Sequence, residues 1–292
     1  MLAAVVTTLF FAATPVFANR AAGLLGSTRA NFWRLVVAAL LLGGWAHLAG
    51  EGFAGPAVGW FVLGGVVGFG IGGLAMFESL PRLGSTLSNL IVQCVAAVVA
   101  AMVEWLWLGT RLTPLEIACG TLTLAGVAIG LRPQSLPRFA PRQWVGGLAW
   151  AFLSAAGQGV GAVLSRKAFA VSASVHVVID PGTAAYQRAI GGLVVAALAL
   201  LLVARRGAEP IRDGRSAPPW VLANALTGPV LGVTCYQWAL QTTAAGIVQP
   251  IVAAAPLLTI PLAARLEHQR PRPWYYVGAV LAVVGVTGLL LR

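Results

Sequence analysis

Acidic residues are nearly missing from this chain. Eight Asp and Glu stand against nineteen Lys and Arg in 292 residues, and charged side chains of both signs make up only 9%. Soluble domains carry roughly 25% charged residues, so a single soluble domain is excluded. Cysteine is scarce as well: Cys94, Cys119 and Cys235 all fall in apolar stretches, with no CxxC and no Cys/His cluster. That removes a disulfide scaffold and leaves no metal site to argue. The three histidines, His47, His176 and His268, are isolated from one another. No carboxylate falls at the middle of an apolar run: Glu78 and Glu104 lie about a turn from an end, and Glu116 opens one. Chemistry inside a bilayer needs a nucleophile with its base, a carboxylate pair or a metal cluster. No catalytic residue is therefore assigned, and an enzyme is not expected.

What is present is apolar: 59% of the residues, with a mean hydropathy of +0.86. A hydrocarbon core about 30 Å thick takes about 20 such residues per helix. Runs of that order fall at 2–19, 31–49, 57–80, 84–108, 114–131, 144–166, 183–204, 218–240, 244–266 and 273–291. They predict an all-α integral membrane protein of ten transmembrane helices, several apolar on all sides. The short turns at 80–84 and 240–244 predict antiparallel hairpins. The first run ends in Val16-Phe17-Ala18, like a signal-peptidase site, but it lacks a positive n-region and is expected to be retained.

The net charge of +11 resides between the apolar runs, which argues for topology rather than nucleic-acid binding. With the N-terminus outside, the cytoplasmic connections 20–29, 82, 132–142, 205–215 and 265–272 hold thirteen basic residues. The other side holds four: Arg111, Arg166, Lys167 and Arg292. Basic residues favour the cytoplasm, so both termini are expected outside, on the periplasmic side of an inner (plasma) membrane. Anionic lipid is an expected partner at the basic face. Arg34 and Arg188 remain inside helices.

The halves repeat each other. At an offset of 160, Trp60, Gly68, Gly72 and Leu80 match Trp220, Gly228, Gly232 and Leu240. At 154, Phe32-Trp33-Arg34 matches Tyr186-Gln187-Arg188, and at 146 Arg20 matches Arg166. Gly126-Val127 matches Gly285-Val286. Residues 1–132 and 144–292 are thus two five-helix units joined by a cytoplasmic linker, 133–143. Five is odd, so the second unit is inverted, an architecture used for alternating access.

On these features the chain resembles the ten-helix EamA-like branch of the drug/metabolite transporter superfamily. An Arg stands early in the second helix of each unit. Each unit also closes on a Gly-rich helix, LWLGTRLTPLEIACGTLTLAGVAIG at 106–130 and RLEHQRPRPWYYVGAVLAVVGVTG at 265–288. The chain departs from the family pattern where Thr110 replaces the Glu of an LGE turn, roughly kept as Glu267. The helix-9 proline, Pro256, has Ala96 as its counterpart. The resemblance implies secondary transport of small organic solutes, amino acids or related metabolites, in the export direction. The alternatives are a multidrug or organic-cation exporter of the same superfamily, or a channel or scaffold. The missing central carboxylate leaves proton antiport, exchange and facilitated diffusion equally open. The expected assembly is a monomer or homodimer.

Gly68-x-Gly70-x-x-Gly73 fits a dinucleotide fingerprint but sits inside an apolar helix, so no cofactor is expected. Gly64, Gly68 and Gly72 instead form a stripe for close helix packing. Candidate pathway groups are Asn89 and Gln93, Ser154 and Gln158, and Gln249, the repeat partner of Asn89. Interhelical packing is the other role open to them. Trp150, Tyr186, Tyr236 and Trp238 are candidate aromatic lining. Arg34 and Arg188 either reach the headgroups or face the pathway, pairing as gates with Glu78 and with Glu104 or Asp180, or holding a solute carboxylate. Gly228, Pro229 and Pro256 are candidate hinges.

Overall fold

In hydrocarbon every backbone N–H and C=O must find its partner within the segment, and the apolar runs fold accordingly. A computed structural model describes residues 1–83, 85–132, 141–205, 213–259 and 273–291. Among the described residues the chain is helical throughout, without strands. The first unit comprises α1 (Leu2–Leu25), α2 (Ser27–Ala49), α3 (Val58–Gly65), α4 (Gly72–Leu83), α5 (Ser85–Leu108) and α6 (Pro114–Gly130). A π-helical stretch, Val66–Ile71, joins α3 and α4 into one rod. The second unit comprises α7 (Pro141–Ser174), α8 (Pro181–Arg205), α9 (Pro218–Ala225), α10 (Leu231–Thr242), α11 (Ala245–Ala253) and α12 (Pro273–Leu290). Here too a π-helical stretch, Leu226–Val230, joins α9 and α10. After Ala254 the α11 rod continues to Thr259.

Among the described residues the result is ten rods, seven of them long and apolar enough to cross a membrane. Their ends depart from the hydropathy pattern. Helix α1 runs on to Leu25, α2 begins at Ser27, and α7 extends from Pro141 to Ser174. Arginine ends an apolar run but is a good helix former, so Arg20 and Arg166 lie within helices. Most of the 133–143 linker, together with Glu267, His268, Arg270 and Arg292, falls outside the described residues.

The units are inverted copies. Helix α2 lies against α8 and α6 against α12, each being its partner's repeat equivalent, so a pseudo-twofold axis passes between them. At the α6–α12 crossing a Cβ added to Gly126 would lie 2.6 Å from the Gly278 carbonyl, and one at Gly285 would lie 2.7 Å from that of Cys119. Both contacts are backbone to backbone, and each is the other's repeat image. Helix α6 opens with a capping box. Thr113 Oγ1 accepts from the Glu116 N–H, and the Glu116 carboxylate accepts from the Thr113 N–H at 2.7 Å.

Packing differs between the two membrane faces. On the terminal face, where α1 starts and α12 ends, one continuous core joins the units. It runs from Ala4, Phe61 and Ala100 through Phe169 and Leu240 to Ile247 and Ile251. Toward the opposite face the buried apolar residues split into separate groups around Val221, Val127 and Val92.

Candidate functional site

Arg34 and Arg188 are each the eighth residue of their helix, about 10 Å from its start at 1.5 Å per residue. Each reaches across the axis to the π-helical stretch of the other unit. A Cβ at Gly68 would lie 3.1 Å from Arg188 Nη2, and one at Gly228 would lie 3.8 Å from Arg34 Nη1. A π-bulge widens the helix by one residue per turn and often marks a working site. In the second unit Pro229 supplies the cause, lacking an N–H and displacing the preceding carbonyl. Gly68 and Gly70 stand in the first.

Arg188 is 3% exposed and does not reach the headgroups. Its Nη1 donates to Ser165 Oγ at 2.7 Å, the Gly161 carbonyl at 3.2 Å and Gln237 Oε1 at 3.4 Å. The guanidinium carbon stands 5.0 Å from the Phe69 ring centre. Its Nε is buried without a partner. Arg34 is half-buried and, among the described residues, holds only Asn31 Oδ1, at 2.9 Å. Beside it, Asn224 Oδ1 is buried without a partner and Thr14 donates to Thr227 at 3.3 Å. Among the described residues neither arginine pairs with a carboxylate. Two desolvated cations without counter-ions are costly, and an anionic group of a solute would compensate them.

The acids foreseen as their partners are engaged elsewhere. Glu78 pairs at 2.6 Å with Arg82, one turn on along α4. Asp180 caps α8, accepting from the N–H groups of Gly182 and Thr183, from the Thr183 hydroxyl and from Trp45 Nε1. Burial pushes its carboxyl up, but these donors outweigh burial and hold it below the usual Asp range. Glu104, 2% exposed, receives Arg166 Nε at 3.0 Å and the Gly246 N–H at 3.1 Å. Arg166 Nη1 also donates to the Leu240 carbonyl at 2.8 Å. This latch ties α5, α7 and the α10–α11 turn together at the terminal face. Arg166, expected to end the apolar run 144–166, lies inside α7, which continues to Ser174. Its repeat match to Arg20 was the only sequence signal for it, and its partner lies 62 residues away.

The remaining expected residues disperse. Ser154 is fully buried, and Gln158 Nε2 donates to its Oγ at 3.5 Å. Asn89 and Gln93 are half-buried one turn apart on α5, and Gln249 is buried on α11. Tyr236 is buried beside Phe11, whereas Trp238 is 50% exposed. Two residues span about 200° of a helix, so the two aromatics cannot share one wall. Trp150, 37% exposed, is not enclosed either. Tyr186 packs edge-on to His47 and Phe53 at the α2–α8 contact. Pro256 follows the break at Ala254, and Pro250 within α11 was not foreseen.

The glycine stripe meets a second stripe on α7. A Cβ at Gly157 would lie 2.9 Å from Gly72 Cα, and one at Gly161 would lie 3.1 Å from Gly68 Cα. The profile of the EamA-like transporter family matches residues 1–132 and 145–291. The chain belongs to that family. A solved crystal structure is similar to this EamA-like chain with a TM-score of 0.83 at 17% identity, covering 99% of this chain and 97% of its own. At that identity the likeness is one of fold. No curated protein matches.

Proposed function

We propose that this EamA-like protein is a secondary transporter of small polar organic solutes, amino acids or related metabolites, working by alternating access in the export direction. The observation that carries this is the unequal packing of the two faces. One core and the Glu104–Arg166 latch join the units at the terminal face, while the buried groups toward the other face stay separate. Such a half-closed arrangement around crossed π-helical breaks is what one state of a rocking inverted repeat requires. Two arginines without counter-ions favour a solute bearing a carboxylate and speak against an organic cation. With both termini outside an inner membrane, as the basic residues favour, the latch closes the periplasmic side and the solute enters from the cytoplasm. The other residues assigned to pathway and hinge act with them. Asn89, Gln93 and Gln249 supply amides that donate and accept without fixing a charge, and Gly228–Pro229 supplies the bend.

Purified protein in liposomes should show counterflow with a member of an amino-acid and metabolite panel. Absence of counterflow across the whole panel rejects transport of these solutes. A periplasmic reporter fused after Arg292 should be active; a cytoplasmic reporter active there reverses the orientation.

A further inference from the structure

A cavity of about 790 Å³ opens on the terminal face beside the latch. Its walls carry Trp107, Arg166, Lys167, Ser172, His176 and Gln241, and among the described residues no Asp or Glu lines it. The Ser172 hydroxyl, in a residue 2% exposed, is buried in that wall with no hydrogen-bond partner. Lys167 forms no ion pair among the described residues. Arg166 is 23% exposed there, and its Nε and Nη1 are committed below to Glu104 and to the Leu240 and Gln241 carbonyls. Glu104, the carboxylate that holds Arg166, also accepts from the Gly246 N–H, so it keeps a donor if Arg166 leaves.

We propose that this vestibule is a binding site for a small oxyanion, a carboxylate or a phosphate, and that its occupant competes with Glu104 for Arg166. The oxyanion takes the Lys167 ammonium, the Arg166 guanidinium and the idle Ser172 hydroxyl as donors. Fork-shaped guanidinium contacts suit planar and tetrahedral oxyanions alike. Drawing Arg166 upward loosens the tie between α7 and the α10–α11 turn, so binding at this face favours its opening. The site is distinct from the crossed arginines, which lie at the π-helical stretches. The binding step needs no turnover, so its failure leaves the transporter reading standing, and missing counterflow leaves the site standing.

The test is calorimetric titration of the full-length protein, in phosphatidylcholine nanodiscs, with succinate and with inorganic phosphate. Saturable binding is expected for at least one, weakened about tenfold in Lys167→Gln. Glu104→Gln should tighten binding about tenfold, because Arg166 loses its competing carboxylate. Should that variant fail to fold, Lys167→Gln and Ser172→Ala carry the test without touching the latch. Nanodiscs containing phosphatidylglycerol separate the sources: loss of succinate or phosphate binding there assigns the site to a lipid phosphate, and retained binding assigns it to a solute. No binding of either probe together with no preference for phosphatidylglycerol overturns the proposal. So does an affinity unchanged in Lys167→Gln.

Discussion

The same junction is built twice in this molecule, and the two copies are not equally tight. Where Arg188 meets the first unit, α7 offers Gly157 and Gly161 to the glycines of the α3–α4 rod, and the backbones touch. Where Arg34 meets the second unit, the places equivalent to Gly157 and Gly161 hold Phe11 and Pro15. Phe11 lies against Gly232, and Thr14 against Gly228. The arginines follow suit. Arg188 has Ser165 and Gln237, whereas the repeat-equivalent sequence positions in the first unit are Asn19 and Phe77. One junction is zipped backbone to backbone and gives its arginine three acceptors, although Arg188 Nε and Gln237 Nε2 stay idle; the other is propped by side chains and leaves Asn224 Oδ1 idle. A pseudo-symmetric fold can thus keep one side as bearing and the other as the moving part.

The comparison breaks most directly by jamming the zipped side. Gly161→Leu should destabilise the protein by about 3 kcal/mol or prevent folding, since overpacking a closed contact typically costs 1–3 kcal/mol and occasionally more. Pro15→Leu, its counterpart on the propped side, should cost less than about 1.5 kcal/mol, as a tolerated apolar exchange does. Thermal melts of the purified variants compare the two, and equal losses would end the distinction.

Next come the arginines. Arg188→Ala should cost about 2–3 kcal/mol by leaving Gln237 Oε1 buried and unpaired and Ser165 with only the Gly161 carbonyl, and Arg34→Ala should cost under about 1 kcal/mol. Both should impair transport with membrane insertion intact. Normal transport by both, at equal expression, would remove them from the pathway.

Smaller effects sharpen the contrast between the units. Asp180 caps only α8, and its carboxyl is held below the ordinary Asp range. Its contribution is therefore present above the unfolded Asp pKa and is lost as pH falls through the lower folded value. The melting temperature should drop over that acid window, and Asp180→Asn should flatten the drop. The smallest expected change is Thr113→Ala, which removes the α6 cap for about 1 kcal/mol. Its counterpart Arg272-Pro-Trp-Tyr275 offers no such box, so the same melt on Pro273→Ala should show no cap loss.

Much of this architecture is legible in the sequence, because hydropathy, glycine spacing and a repeat are local or periodic signals. The ten rods, the inversion and the Gly64–Gly68–Gly72 stripe are all of that kind. The charge partners are not. Glu78 had Arg82 one turn away, and a neighbour at i+4 on a helix wins over a distant arginine by proximity. Glu104 and Arg166 meet only because the repeat folds α5 onto α7, which no local pattern encodes. Trp238 was readable: its two-residue spacing from Tyr236 already put it on another face of α10. The extra turns of α7 were hidden because a basic pair resembles a helix end to a hydropathy count.

Those extra turns have a mechanical consequence. Helix α7 has 34 residues, about 51 Å at 1.5 Å per residue, against a bilayer of roughly 40–45 Å including headgroups. It must lean or stand proud of the lipid, carrying Arg166 and Lys167 about three-quarters of the way along and the Gly157–Gly161 crossing near its middle. A rod anchored at mid-length is a lever. In the rocking cycle proposed above, a small force at the vestibule, or a change in bilayer thickness, would turn about the glycine crossing and reach the far face with its sign reversed.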